Sequence, residues 1–533
     1  MTPVPLTTPD QRPIERRATI EAAPFPESIP HLLDAAAAEC PDATLWEFFD
    51  EGLSATYAAV KRDSLKMGAL LAAAGVQQGD RVAVMLPNIP EMPLIWLGLA
   101  RIGAIMVPVN IRYSARELAY VVENSGAKLL VLQADIPAAQ HEDRPGIEAL
   151  IVGSAEWEDR WHRAEATACP APDLNRDTLM NIQYTSGTTG MPKGCILTHN
   201  YWLTTGMVNA WRDGRRFRRI LATTPFTYMD PQWLLLMAIY QRGTLVVGRR
   251  QSASKFARWL SEHRIEFCLF PEAASKQPPA PHDRENRVVR ANIYGVRASV
   301  HAEIEERYGF TAREAFGMTE IGSGLYVPME ATGMVGSGSC GIATAFRETR
   351  IVDERGTEVP VGETGELLVR GNGIFLGYYN NPKATAEALR DGWFHTGDLF
   401  RRDAQGFHYI VGRKKDMIRR SGENIACREV EGVLRDMDEI EEVALIPVPD
   451  DLRGEEVKAY LTLRNAHQPD AAFVHRIADY AAHRLAAFKI PRYFEFIETM
   501  PRTTSFKVAK AELAKARADH RTGSFDRIEN VWR

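Results

Sequence analysis

Three short apolar runs, Arg81 to Leu86, Ile105 to Val109 and Lys128 to Gln133, recur with helix-forming stretches between them. Each run is too short for an ordinary helix and too continuous for a strand with one wet face, so each reads as a strand buried on both sides. Gly79-Asp80 marks the turn that opens the first of them. Helical spacing of Ala and Leu over Ala55 to Ala74, and the apolar segment Pro90 to Ile102, supply two covering helices. Ser114 with Glu117 three residues on is the reciprocal capping pair that starts a third. Fully buried strands alternating with helices predict an α/β fold with a parallel sheet covered on both faces.

The alternation continues beyond Asn181. From Gly336 to Arg370 it gives way to short strands with Gly-rich turns, which predicts a β-rich subdomain. The charged run Arg413-Lys414-Lys415-Asp416 then precedes a helix (Cys427 to Met437), two strands (Glu442 to Pro447 and Val457 to Leu463) and a further helix (Asp470 to Leu485). That is enough chain for a small α+β domain. The expected division is a large N-terminal domain of layered α/β subdomains plus the β-rich one over 1–414, a C-terminal domain over 415–520, and a weakly ordered tail over 521–533.

At 533 residues the chain exceeds what one hydrophobic core serves, which agrees with that division. A net charge of -5 without a Lys/Arg-rich run gives no basic face for nucleic acid or an anionic membrane. The most apolar stretch, Met92 to Val109, is broken by Pro93, Arg101 and Pro108, so it reads as a buried helix and a strand rather than a membrane span. None of Cys40, Cys169, Cys195, Cys268, Cys340 and Cys427 stands in a Cys-x-x-Cys pair, which argues against zinc and redox motifs. Scattered thiols, with a polar Met1 to Glu15 segment unlike a secretory signal, point to the cytoplasm.

The chemistry is carried first by Tyr184-Thr185-Ser186-Gly187-Thr188-Thr189-Gly190-Met191-Pro192-Lys193-Gly194. Its glycines allow backbone N–H groups to approach an anion closely, its Ser/Thr hydroxyls add donors, and Lys193 adds a positive charge. Such a loop between two strand-like segments suits a polyphosphate. It is not a Walker A sequence, because no Gly-x4-Gly is followed by Lys-Ser or Lys-Thr.

This loop resembles the signature of the adenylate-forming superfamily, which includes acyl-CoA synthetases, peptide-synthetase adenylation domains and luciferases. Further motifs occur in the family's order: Phe316-Gly317-Met318-Thr319-Glu320, Trp393-Phe394-His395-Thr396-Gly397-Asp398, Gly412-Arg413-Lys414-Lys415-Asp416, Ser421-Gly422-Glu423-Asn424-Ile425 and Pro501-Arg502-Thr503-Thr504-Ser505-Phe506-Lys507. The whole looks most similar to bacterial acyl-CoA ligases of the carnitine/crotonobetaine and medium-chain or aromatic acid type. The resemblance implies an ATP- and Mg²⁺-dependent ligase that joins a carboxylic acid to AMP, releases pyrophosphate, and passes the acyl group to coenzyme A. It also implies that the C-terminal domain is mobile. A homodimer is compatible with the resemblance, although no residue pattern here specifies one.

By that resemblance, Thr185, Ser186, Gly187, Thr188, Thr189, Gly190 and Lys193 hold the β- and γ-phosphates. Thr319 contacts the α-phosphate, beside Phe316 and Gly317, and Glu320 binds Mg²⁺. Asp398 accepts both ribose hydroxyls, and Arg413 also binds the ribose. Lys507 bridges the acid's carboxylate and the α-phosphate; Phe506 stands where the family usually has glycine, and Lys510 is a second lysine close by. Lys415 is the hinge, and Ser421, Gly422 and Glu423 lie beside the pantetheine arm. Two anions meet in this reaction, so catalysis is mainly charge neutralisation and positioning.

The same resemblance implies an acyl pocket to which Tyr228, Met229, Trp233, Phe270, Tyr294 and Arg297 contribute, with Phe316. Bulky Tyr294 and charged Arg297 suggest a small polar or dicarboxylic acid, although several of the aromatics suit an ordinary core equally well. Three other readings share parts of this pattern. They are a stand-alone adenylation enzyme loading a carrier-protein thiol, a luciferase-type oxygenase, and a silent nucleotide-binding protein.

Overall fold

The structure is a computed structural model that describes residues 6–136, 146–185, 192–421, 423–464, 469–503 and 507–533. It divides into two compact units. The first takes in the chain up to Thr185 with Pro192–Thr349 and Val369–Phe394; the second takes in Arg350–Leu368 and His395–Arg533.

In the first unit, a six-stranded sheet runs in the order Glu148–Val152, Leu129–Gln133, Arg81–Met85, Ile105–Pro108, Leu179–Thr185, Lys193–Thr198. Its strands are parallel until the last, which pairs antiparallel with its neighbour. Ala83, Met85, Val107, Leu130 and Leu132 are buried in one cluster with Leu118 and Val121 of the helix Ala115–Ser125. The expected capping pair is present: Ser114 Oγ accepts from Glu117 N, and Glu117 Oε2 accepts from Ser114 N at 2.9 Å. The helix Glu91–Ile102 is buried along almost its whole length and ends at Gly103 with φ +68°, a left-handed cap that glycine adopts without strain.

A second sheet of the same unit contains parallel strands Thr44–Phe48, Thr244–Val247, Arg219–Ala222, Phe267–Leu269, Arg290–Ile293 and Thr311–Met318. Its strand Thr311–Met318 turns back antiparallel as Gly322–Tyr326, and the tip of that hairpin holds Thr319 and Glu320.

The strand Trp393–Arg402, which belongs to the second unit from His395 on, pairs antiparallel there with His408–Arg413, which sets Asp398 opposite Arg413. Beyond it, a seven-stranded sheet contains Glu423–Ala426, Met417–Arg420, Gly454–Leu463, Tyr493–Phe496, Phe525–Asp526 and Val531–Trp532 in that order, with Ile440–Asp450 also pairing on Gly454–Leu463. Helices Cys427–Arg435 and Ala471–Ala482 place Val430, Leu434, Phe473, Val474, Ile477 and Ala481 in one core, the three-to-four spacing of an amphipathic helix.

The expectation of a weakly ordered tail over 521–533 is corrected here. Phe525–Asp526 pairs with Tyr493 and Phe494, and Val531–Trp532 folds back on it. Buried Asp526 is held by Arg492 at 2.9 Å and Arg533 at 2.8 Å. Burial raises its pKa, but the two guanidiniums overcome that and bring it down to about 2. The segment is ordered by partners distant in sequence, which its own composition does not reveal.

Candidate functional site

The two ends of the phosphate loop are fixed by the antiparallel pair that flanks it. Thr185 lies opposite Lys193, and Thr185 Oγ1 donates to Lys193 O at 3.4 Å. Ser186, Gly187, Thr188, Thr189 and Gly190 lie outside the described residues. Lys193 Nζ sits 4.8 Å from the ring centroid of Tyr378, within cation–π range.

The hairpin carrying Thr319 and Glu320 has a bulge between Phe316 and Gly317. Gly317 is required there: a Cβ would stand 2.6 Å from the carbonyl oxygen of Gly322. Phe316 and Thr319 are half-buried and Gly317 is exposed. Glu320 is buried, and its Oε1 accepts from the Tyr378 hydroxyl at 2.8 Å. Burial first, then the neighbouring Glu320 charge, hold the Tyr378 phenol far above its ordinary pKa, so it remains a donor. Among the described residues no three His, Cys, Asp or Glu side chains group as metal ligands. A single carboxylate fits Mg²⁺, a hard ion that keeps several waters and takes phosphate oxygens as its other ligands.

Asp398, in the second unit, is 1% exposed. Arg413 Nε lies 2.8 Å from its Oδ1 as an ion pair, but the N–H is not directed along a hydrogen bond, and neither carboxylate oxygen has an aligned donor among the described residues. Burial raises the Asp398 pKa, and the charges of Arg413, Arg428 and Lys507 only partly offset it. A pair of buried acceptors in this condition suits two hydroxyl donors. The turn is held from below: Thr396 Oγ1 donates to Leu367 O at 2.7 Å and accepts from Asp398 N at 3.0 Å. Glu366 accepts from Gly397 N at 3.1 Å and pairs with Lys414 at 2.9 Å. Burial raises the Glu366 pKa, but Lys414 and His395 outweigh it and leave it lowered.

The two neighbouring lysines separate clearly. Lys510 Nζ pairs with Glu431 at 2.7 Å and approaches Asp416 at 3.9 Å. Burial lowers its pKa, but Glu431, Cys427 and Asp416 outweigh that and raise it. It is a structural cation. Lys507 is exposed, in a turn closed by Thr503 N donating to Lys507 O at 2.8 Å, and its charge is felt at Asp398. Phe506 lies outside the described residues.

Lys415 is exposed in the single 3-10 turn Lys414–Asp416. Ser421 and Glu423 are exposed at the end of the hairpin Met417–Arg420/Glu423–Ala426, with Ser421 at φ +52° and Ser421 N donating to Arg453 O at 2.8 Å. Gly422 lies outside the described residues.

The six expected acyl-pocket residues come from several different elements. Tyr228 is half-buried, with its hydroxyl accepting from Asn110 Nδ2 at 3.1 Å. Met229 starts the helix Met229–Gln241, and its sulfur accepts from the Tyr201 hydroxyl at 4.0 Å. Trp233 is buried and donates to Asp230 at 3.1 Å. The Tyr294 ring is 45% exposed while its hydroxyl accepts from Asn292 Nδ2 at 3.3 Å. Arg297 is 3.9 Å from Glu272. Phe270 departs from the expectation: it is buried among Phe256, Tyr308 and Phe310, with ring centroids 5.1–5.9 Å away, and belongs to a core cluster. Sequence reasoning missed Tyr378 and Glu366. The former stands in Gly377-Tyr378-Tyr379-Asn380, where only the glycine beside an aromatic hinted at a tight backbone approach.

Comparison with known proteins identifies the family. The pattern of the family "AMP-binding enzyme" matches residues 33–379, and that of "AMP-binding enzyme C-terminal domain" matches 429–507. A crotonobetaine/carnitine–CoA ligase from Shigella dysenteriae serotype 1 (strain Sd197) is 32% identical over 471 residues, covering 82% of this chain and 89% of that protein. Among solved structures, o-succinylbenzoate CoA synthetase from Bacillus subtilis, in complex with its acyl-adenylate intermediate, is similar with a TM-score of 0.81 at 26% identity, over 91% of this chain and 98% of that one. ATP-bound MatB from Rhodopseudomonas palustris is similar with a TM-score of 0.83 at 25% identity, over 91% and 98%.

Proposed function

From the premise that this chain belongs to the AMP-binding enzyme family, we propose how its residues divide the work of an ATP-dependent carboxylic acid–CoA ligase. The enzyme activates a carboxylic acid as acyl-AMP with release of pyrophosphate, then forms the acyl-CoA thioester. The observation that carries this is the match to a CoA ligase along 82% of the chain.

A carboxylate is a poor acyl donor, because its oxygen leaves badly and its charge repels nucleophiles. Joining it to AMP removes both obstacles. Asp398 accepts the ribose hydroxyls; the support is its buried pair of oxygens without aligned donors. Arg413 favours the charged form of that carboxylate and meets the same sugar. Thr185, Lys193 and Thr319 stabilise phosphate charge, together with the loop 186–190. Glu320 holds Mg²⁺, which when present neutralises phosphate charge. Lys507 brings the acid's carboxylate to the α-phosphate, supported by its exposure and its place in the C-terminal motif. Lys415 absorbs backbone rotation between the half-reactions, and Ser421 to Glu423 line the path of the pantetheine thiol of CoA. We keep the C-terminal domain boundary at 415, since the C-terminal family pattern begins beyond it. The cytoplasm is the assigned compartment, supported by cysteines that form no disulfide among the described residues; among the described residues no helix is long and apolar enough to cross a membrane.

The test is to incubate the protein with ATP, Mg²⁺ and CoA and a panel of aliphatic, aromatic, dicarboxylic and betaine-type acids, following AMP and thioester together. AMP and thioester produced in equal amounts with at least one acid is the expected result. A panel that yields neither overturns the reading.

A further inference from the structure

We propose that Tyr378 is a positioning residue that sets the phosphate-loop lysine, Lys193, and the carboxylate of Glu320 in fixed relation to each other. The proposal rests on the roles assigned above to those two residues and adds the part that couples them.

Tyr378 touches both groups with different parts of one ring. Its hydroxyl donates to Glu320 Oε1 at 2.8 Å, and its face lies 4.8 Å below Lys193 Nζ. The ring has little freedom to move. Tyr378 forms an antiparallel bridge with Cys195. On either side of it, Leu376 N donates to Ile196 O at 3.0 Å and Tyr379 N donates to Gly194 O at 2.8 Å. The segment that carries Tyr378 is therefore stitched to the strand that begins with Lys193. Its own N–H is taken by Thr385 Oγ1 at 2.9 Å, and Phe375 packs edge-on at 5.1 Å. Phe375 N in turn donates to Glu320 O at 2.8 Å, so the same segment also grips the backbone of the metal-facing residue.

The chemical consequence is specific. An ammonium and a carboxylate close together in a low-dielectric site attract each other strongly, and a direct pair would compete with phosphate and with metal. One ring gives each of them another partner. The aromatic face holds the ammonium by its quadrupole. Committing Oε1 to the phenol sets the rotation of the carboxylate and therefore the direction of Oε2. Tyr378 touches neither nucleotide nor metal in this account. It acts through Lys193 and Glu320.

Two substitutions separate the two ends. Tyr378→Phe removes the hydroxyl and keeps the ring face; Tyr378→Leu removes both. Two quantities are read: Mn²⁺ binding by electron paramagnetic resonance, on enzyme carrying an ATP analogue with a non-cleavable α–β bridge, and KM for ATP at saturating Mg²⁺ in ATP–pyrophosphate exchange. Tyr378→Phe is expected to weaken Mn²⁺ binding about tenfold, the effect of losing one hydrogen bond to a charged group, with KM for ATP nearly unchanged. Tyr378→Leu is expected to add a rise in KM for ATP of about three- to fivefold, the effect of losing the cation–π platform. A purely structural tyrosine would not split the two readouts in this way. Glu320→Gln is the reference. If it weakens Mn²⁺ binding and Tyr378→Phe leaves binding as in the wild type, the coupling is wrong and the metal role of Glu320 stands. If Glu320→Gln itself leaves Mn²⁺ binding unchanged, both fall. Should the leucine variant fail to fold, the phenylalanine variant alone decides.

Discussion

Asp398→Asn changes one buried atom pair and leaves the shape of the site intact, so its effect can be followed closely. In the wild type, Asp398 has two acceptor oxygens with no aligned donor among the described residues, and on the proposed ribose role each hydroxyl–carboxylate bond would contribute about 1.5–3 kcal/mol. Asparagine keeps one acceptor, now uncharged, and turns a donor toward the other hydroxyl. The loss is about 2–4 kcal/mol, or roughly 30- to 1,000-fold in kcat/KM for ATP. Folding should survive, because Arg413 is 43% exposed, its pairing is screened by solvent, and the amide oxygen can still receive it. The discriminating assay is ATP–pyrophosphate exchange with ATP and with 2′,3′-dideoxy-ATP on both proteins. The wild type should fall steeply on the dideoxy nucleotide, while the variant, which has already lost those bonds, should fall little further. An equal penalty on both nucleotides in the variant would refute the ribose assignment.

Other expectations follow from the same geometry. Burial raises the Asp398 pKa, so protonation on lowering the pH begins above the ordinary carboxylate range and removes the acceptor; KM for ATP should climb about tenfold per pH unit below that pKa, and the climb should vanish in Asp398→Asn. Gly317→Ala sets a Cβ 2.6 Å from a backbone carbonyl oxygen, and should cost about 1–3 kcal/mol in denaturant unfolding while reducing the adenylation rate through the displaced Thr319–Glu320 turn. Lys510→Ala leaves Glu431 without its cation, though Leu445 N still donates to it, and should lower stability by about 2–3 kcal/mol, the lysine being one-quarter exposed, with the adenylation step affected far less than in Lys507→Ala.

What the sequence made legible follows how local each feature is. Strand and helix positions in the first sheet came from runs whose burial is written in consecutive residues, and Ser114 with Glu117 specified a helix start that the structure contains. Thr319, Glu320, Asp398 and Arg413 were proposed because each sits in a contiguous string. Their partners were not, because tertiary pairing supplies them: Tyr378 reaches Glu320 across 58 residues, and Lys414 reaches Glu366 across 48. The same reasoning separates Lys507 from Lys510. In sequence they are neighbours of equal charge; Lys510 pairs with Glu431, brought in from the helix Cys427–Arg435, while Lys507 is exposed. Phe270 shows the reverse problem, since an aromatic beside a pocket and one inside a core look identical until the neighbouring rings are placed. The segment 521–533 was misjudged because its charged residues are satisfied by Arg492, far upstream.

The central claim is that one cation from the C-terminal domain brings two anions together for the first half-reaction only. The direct measurement is Lys507→Ala assayed separately for ATP–pyrophosphate exchange and for thioester formation from supplied acyl-AMP and CoA. The account predicts a loss of about 100- to 1,000-fold in exchange with thioester formation kept within a few-fold. Exchange at the wild-type rate would contradict it.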